Sequence, residues 1–229
     1  MSEFAGKIIE AAERFRVAEP EGGWEAHEQR VTADLERLKA REARYLQAER
    51  LQAMGVPRKL HQAIIEGPEH SAAVLAMRSF HVAVRESTEH LAVLVGETGV
   101  GKSLAAGVWL LHASDDMRSL RSRVMPRKFI AAADYCRISD YDTEALAAIE
   151  LARFLVIDDL GVEYGDKRQY YASRIDAIMG KRHGNMLPTA VTTNLSMEVI
   201  SKCYGARVES RLNDAQVTLL RGEPDRRKS

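Results

Sequence analysis

Cysteine is scarce in this sequence: of 229 residues only Cys136 and Cys203 carry thiols, too few for a disulfide framework and without zinc-ligand spacing. Both are expected to be reduced, structural thiols of a cytoplasmic protein. Net charge is missing as well, because 33 Lys plus Arg balance 33 Asp plus Glu. That excludes a general attraction to polyanions, so any contact with nucleic acid must come from a local patch. No long apolar run is present. The longest nearly unbroken one, residues 104–111, is far below the roughly 18 residues that a membrane span needs. The start MSEFAGKIIEAAERF lacks the cationic stretch and apolar core of an export signal, so neither a membrane partner nor export by that route is expected. Internal repeats and low-complexity tracts are also lacking.

What is present is ordinary globular composition, 45% hydrophobic and 29% charged, which excludes global disorder. At roughly 150 residues per domain, the length suits one sizeable domain plus an extension. Residues 24–54 contain neither Gly nor Pro and are rich in Glu, Arg, Leu, Ala and Gln, which predicts a long helix. Trp24, Val31, Leu38 and Tyr45 recur every seven residues with Leu35 between, but Glu28 and Glu42 interrupt the alternate seam. This stripe is expected to pack in a small helical bundle in preference to a two-stranded coil. Gly55-Val56-Pro57 and Gly67-Pro68 are breaks. They divide the chain into a helical region 1–54, a linker 55–70 and a main domain 71–229, whose first helix is expected at 72–84.

From residue 91 onward, β-rich runs at 91–95, 128–132, 154–157, 189–193 and 216–220 alternate with helical stretches at 102–112, 143–152, 167–182 and 197–204. That alternation predicts a parallel sheet covered by helices, an α/β fold. Within it, GETGVGKS (Gly96, Glu97, Thr98, Gly99, Val100, Gly101, Lys102 and Ser103) follows an apolar strand and opens a helix, the context of a phosphate-binding P-loop. The glycines let backbone N–H groups turn toward phosphates at the helix N-terminus, Lys102 reaches the outer phosphates from a solvent-facing position, and the Ser103 hydroxyl coordinates Mg²⁺. ATP and Mg²⁺ are the cofactors expected.

The run FLVI ends in Asp158 and Asp159, an apolar strand terminating in two carboxylates, as a Walker B segment does. Asp158 is expected to hold the Mg²⁺ and Asp159 to orient or deprotonate the attacking water; an aspartate that merely caps a turn is the simpler reading of one such residue. Asn194 ends the run TAVTTN. It is either a sensor of the γ-phosphate and the attacking water or an ordinary turn former. Arg207 and Arg211 are four apart and share one helix face, which suits either an anion contact or a solvated pair beside Glu209.

Taken together, GETGVGKS, FLVIDDLGVEYGDK, PTAVTTNLS and YGARVESRL resemble the AAA+ ATPases of the DnaC/IstB group, over roughly residues 50–229, with RLQAMGVPRKLHQAI similar to the lead-in of that core. The resemblance implies a P-loop NTPase (AAA+) fold, a three-layer αβα core with a five-stranded parallel sheet, preceded by a small helical region. No C-terminal lid domain is expected after Arg211. It implies Walker A roles for Lys102 and Ser103, Walker B roles for Asp158 and Asp159, sensor 1 at Asn194 and an arginine finger at Arg211. In the ending GEPDRR it implies a sensor 2 arginine at Arg227, or else Arg226. Asp159 stands where most AAA+ ATPases have Glu, one methylene shorter, which suits slow turnover stimulated by assembly or DNA.

The function this implies is a helicase loader in DNA replication. Such a protein binds ATP and single-stranded DNA, self-associates in the ATP state, and grips a replicative DnaB-type helicase through its N-terminal helices. A transposition helper ATPase of the IstB kind and a nucleotide-gated adaptor with negligible turnover are the alternatives. For single-stranded DNA, the basic residues Arg118, Arg121, Arg123, Arg127 and Lys128 and the group Tyr135, Arg137 and Tyr141 could track and stack on a strand; a solvated surface accounts for them nearly as well.

Overall fold

In the computed structural model, five parallel strands lie in the order β2-β3-β4-β1-β5: β1 (Leu91–Gly96), β2 (Arg127–Ala131), β3 (Phe154–Leu160), β4 (Thr189–Thr193) and β5 (Gln216–Leu220). The structure describes residues 6, 7, 10, 20–67, 71–113, 126–161 and 168–221. Parallel neighbours cannot be joined by hairpins, so helices fill every connection. Helices α1 (Gly23–Met54), α2 (Arg58–Glu66) and α3 (Ala72–Arg85) precede β1, and α4 (Lys102–His112), α5 (Ala132–Arg137), α6 (Thr143–Glu150), α7 (Arg168–Gly184), α8 (Met197–Tyr204) and α9 (Ala206–Asn213) lie between the strands. Strands β4 and β5, and helices α4 and α8, have the bounds that hydrophobic pattern predicted.

The central strands β1, β3 and β4 are buried along nearly their whole length because both faces are covered. Successive side chains alternate between the faces. Ala92 and Leu94 of β1 join a core with Trp109 and Leu110 of α4 and Met77 and Phe80 of α3. Leu91, Val93 and Val95 join the opposite core with Ile175 and Ile178 of α7 and Val208 and Leu212 of α9. The result is the expected three-layer αβα arrangement. In the first core Trp109 packs at 5.2 Å from Phe80 and, edge-on, at 5.9 Å from Phe154, contacts worth about 0.5–1.5 kcal/mol each beyond their burial.

The chain forms two compact units, 1–47 and 48–229. In the first, the described part of α1 exposes Val31, Leu35, Leu38 and Tyr45, so the bundle packing expected of this stripe is not formed among the described residues. The last turn of α1 belongs to the second unit, where Leu51 and Met54 are buried. The stretch read as a linker, 55–70, is different in the structure: Val56 and Ile64 lie in the core with Leu51, and α2 occupies most of it. Gly55 makes this possible, with φ +85° and a position where a Cβ would sit 2.7 Å from the Phe129 carbonyl oxygen. The sequence shows the break at Gly55; only the packed structure shows that the chain breaks in order to dock.

Candidate functional site

Loops that follow the strands of an open parallel sheet converge at its carboxyl edge, where ligands of such folds bind. The GETGVGKS loop leaves β1 there. Gly96 lies so close to β5 that an added Cβ would be 2.9 Å from the Leu220 Cβ and carbonyl oxygen. Val100 is buried and anchors the loop in the core. Gly99 and Gly101 take φ of +94° and +89°, conformations that glycine adopts without steric penalty, and Gly101 leads directly into α4. The positive end of α4 therefore faces the loop, ready for an anion.

Lys102 departs from its expected solvent-facing position. It is buried, and Nζ donates to the carbonyl oxygens of Gly96 at 2.8 Å and Glu97 at 2.7 Å. A flexible ammonium with three donors can bond to its own loop in this way and still re-aim its protons at a phosphate.

The two aspartates are not at the end of β3 but inside it. Strand β3 runs on to Leu160, and its pairing with β4 shifts between Ile157 and Leu160: Ile157 pairs Val191 and Leu160 pairs Thr193, so Asp158 and Asp159 together oppose Thr192. This is a β-bulge, which bends a strand and re-aims its side chains. Asp159 has φ +53°, a left-handed conformation that Asp tolerates better than most residues. The bulge leaves Asp158 buried and Asp159 exposed. Just beyond, Gly161 has φ +110° and faces Leu195, whose Cδ1 would be 2.5 Å from an added Cβ.

Asp158 is the electrostatic centre of the group. Burial first, and then the neighbouring Asp159 carboxylate, push its pKa up, while hydrogen bonds from the hydroxyls of Thr192 and Ser103 and the charge of Lys102 pull it down. The net direction is upward, with burial the largest cause. The Ser103 hydroxyl and the Asp158 carboxylate are hard oxygen donors in hydrogen-bond contact, a pair that fits Mg²⁺, which binds through one or two protein oxygens and completes its shell with phosphate and water.

Asn194 is exposed immediately after β4. It follows Thr193, whose hydroxyl donates to the Leu160 carbonyl oxygen at 2.7 Å and accepts from the Leu195 N–H at 3.1 Å. The structure thus brings the GETGVGKS loop, both aspartates and the Asn194 turn to one edge. Arg211 is engaged elsewhere: its Nη1 donates to Asp176 Oδ1 on α7, with Arg207 4.0 Å from the other oxygen, and its guanidinium lies over Gly180. Arg226 and Arg227 lie outside the described residues.

The DNA-contact candidates fare unevenly. Tyr135 is 2% exposed, lies under the Arg174 guanidinium at 5.1 Å, and has its pKa pushed up to about 12, mainly by burial. It is a core residue and offers no stacking face. Arg127 donates through Nη1 to the Leu110 and Leu111 carbonyl oxygens, satisfying the end of α4. Arg137 pairs with Asp134 on the surface, Tyr141 is 96% exposed, and Arg118, Arg121 and Arg123 lie outside the described residues.

Thr192 escaped the sequence reading. It is fully buried, donates to Asp158 Oδ1 at 2.6 Å and accepts from the Asp159 N–H at 2.9 Å. The sequence held no local signal for it, since a buried hydroxyl requires partners and those of Thr192 come from another strand.

No protein-family model matches the sequence and no curated protein matches it. Among solved structures, the chain is similar to the DnaC helicase loader at 23% identity and TM-score 0.53, covering 64% of this chain and 87% of that one. It is similar to DnaI at 21% identity and TM-score 0.53, covering 74% and 93%. AMPPCP-bound DnaA from Aquifex aeolicus gives 15% identity and TM-score 0.51, over 67% of this chain and 48% of that longer one. None of the described helices is long and apolar enough to cross a membrane. The chain shares the α/β fold of these solved structures, with GETGVGKS, Asp158, Asp159 and Asn194 gathered at one edge of its sheet.

Proposed function

We propose that this chain is an ATP-dependent helicase loader acting in DNA replication. The observation that supports this best is the fold likeness to the DnaC helicase loader over most of that protein's length, joined to a P-loop and a carboxylate pair at one sheet edge. Lys102 and the α4 N-terminus bind the phosphates, and Ser103 and Asp158 hold Mg²⁺. The ion, when bound, neutralises charge on the β- and γ-phosphates. Asp159 accepts the proton of the attacking water as its oxygen bonds to the γ-phosphorus and ADP leaves, and Asn194 holds that water in line. Arg211 acts on the nucleotide of a neighbouring subunit, so the Asp176 contact is exchanged for phosphate when subunits assemble. Arg227 is assigned to the chain's own nucleotide.

The exposed stripe of Val31, Leu35 and Leu38 is the helicase grip, a helix face of the kind that docks on another protein, and exposed Tyr141 is a contact for single-stranded DNA. Lys102→Ala should lose ATP binding by calorimetry while keeping its fold by circular dichroism; unchanged affinity defeats the P-loop reading. Replacing Val31, Leu35 and Leu38 with Ser should weaken co-sedimentation with a DnaB-type hexamer while ATP binding persists. Undiminished co-sedimentation removes the grip. Assembly on duplex DNA without helicase binding replaces the loader reading with that of a transposition helper.

A further inference from the structure

The hydroxyl of Thr192 bonds to both residues of the bulge, to the Asp158 carboxylate and to the Asp159 N–H. Strand β4 lies between β3 and β1, and Thr192 pairs with Leu94 of β1 on one side while standing alone against Asp158 and Asp159 on the other. A threonine hydroxyl has one proton and two lone pairs. Here a lone pair receives the Asp159 N–H and the proton goes to Asp158 Oδ1, so each contact fixes the sense of the other. The Asp159 amide, displaced from regular pairing by the bulge, thus has a partner at the one point where β4 lacks a second residue to oppose it.

We propose that Thr192 is a positioning residue for the site: its hydroxyl holds the bulge in register, aims the Asp158 carboxylate toward Ser103, and sets the backbone from which Asp159 projects. The proposal rests on the reading of Asp158 as the Mg²⁺-holding acid. Oxygen ligands of a cation are oriented by the groups that hydrogen-bond to them, and loss of such a partner typically lowers metal affinity about 10–100-fold. Thr193 provides the internal comparison. It is equally buried and also bridges β4 to β3, but it bonds to the Leu160 carbonyl oxygen and the Leu195 N–H, and touches no carboxylate. Removing it alters the sheet and the Asn194 turn without releasing Asp158.

The test uses the full chain and ATP as the probe, with binding measured by calorimetry in Mg²⁺ and in EDTA. Thr192→Val keeps the shape and removes the hydroxyl. The expected result is a loss of about 10–100-fold in ATP affinity with Mg²⁺, no change in EDTA, and faster hydrogen exchange at the Asp159 amide. Thr192→Ser, which keeps the hydroxyl, should restore most of the Mg²⁺-dependent affinity. Thr193→Val should lower the melting temperature without a Mg²⁺-specific loss. If Thr192→Val does not fold, Thr192→Cys keeps a weaker donor and should give an intermediate Mg²⁺-specific loss. Unchanged Mg²⁺ dependence in a folded Thr192→Val or Thr192→Cys chain overturns the proposal, as does an equal loss with and without Mg²⁺. A wild-type chain that binds ATP equally with and without Mg²⁺ overturns the metal role of Asp158 first, and the Thr192 proposal with it.

Discussion

The two edges of the sheet both bury charge, and they treat it in opposite ways. At the amino edge, Arg182 is 1% exposed and its guanidinium is almost saturated. Nε donates to Thr189 Oγ1, Nη1 to the carbonyl oxygens of Glu150 and Ala152, and Nη2 to that of Pro188, at 2.8 to 3.0 Å. Burial and the nearby Arg153 push its pKa down to about 10, which leaves it charged at neutral pH. Those fixed carbonyls join the end of α7 to the segments that enter β3 and β4. At the carboxyl edge, Asp158 is nearly as buried, but its partners are two hydroxyls and a like-charged neighbour raises its pKa further. A buried charge whose bonds are filled by backbone serves structure. One whose pKa is raised by burial and a like-charged neighbour suits the cation-holding role proposed for Asp158.

Four substitutions would sharpen or break this contrast. The largest effect is expected at Arg211, which shares a carboxylate with Arg207 instead of joining either edge. Arg211→Ala should keep ATP binding and lose assembly-stimulated hydrolysis on the order of a thousandfold. Mixing it with Lys102→Ala protein should restore some turnover at interfaces that pair an intact pocket with an intact arginine; no recovery despite co-assembly removes the role in trans. Next is Arg182→Leu, which strips four hydrogen bonds and leaves buried carbonyl oxygens unpaired. Chemical denaturation should show a loss of roughly 3 kcal/mol or more, with nucleotide affinity of the remaining folded protein unchanged.

Asp158→Asn should act in the opposite direction on stability. Since burial and Asp159 disfavour the ionised carboxylate, the neutral amide should stabilise the nucleotide-free chain at pH 7 on the order of 1 kcal/mol, read as a higher melting temperature, while Mg²⁺-dependent ATP binding is lost. A lower melting temperature would mean that Asp158 is a structural charge like Arg182, and the contrast between the edges would fail.

The smallest effect concerns His90 at the amino edge, whose Nε2 lies 3.0 Å from Nδ1 of His183. Burial, then His183, push the His90 pKa below 6.5, against a smaller opposing effect of Glu89. The unfolded chain therefore binds the proton more readily than the folded one, so the stability that neutral His90 contributes is full above about pH 6.5 and falls as pH drops toward the lower folded pKa. His90→Gln should flatten that slope in thermal melts between pH 7 and 5, by less than about 1 kcal/mol. An unaltered slope would remove His90 as its source.

Much of this was legible before any fold was known. Apolar runs alternating with helical ones specified a parallel sheet, because strands covered on both faces bury side chains on both sides and become predominantly apolar. The bounds of Thr189–Thr193 and Gln216–Leu220 followed from that pattern, and GETGVGKS announced itself because a phosphate loop is local: glycines, lysine and helix start are contiguous. The rest depended on register and packing. The Asp-Asp pair reads as a strand end, yet it is a bulge, because whether two residues oppose one is decided by the partner strand. Thr192 was silent for the same reason, its two partners lying 33 and 34 positions away. The tyrosine offered for stacking, Tyr135, fell to the core because its helix is wedged between β2, β3 and α7, and the presumed linker became α2 because Gly55 lets the chain close on Phe129. Sequence determined the elements and the phosphate loop, since both rest on neighbours in the chain. Tertiary structure alone decided which carboxylate is buried, which hydroxyl holds it, and which arginine is already paired, since these depend on groups that the sheet brings together from distant segments.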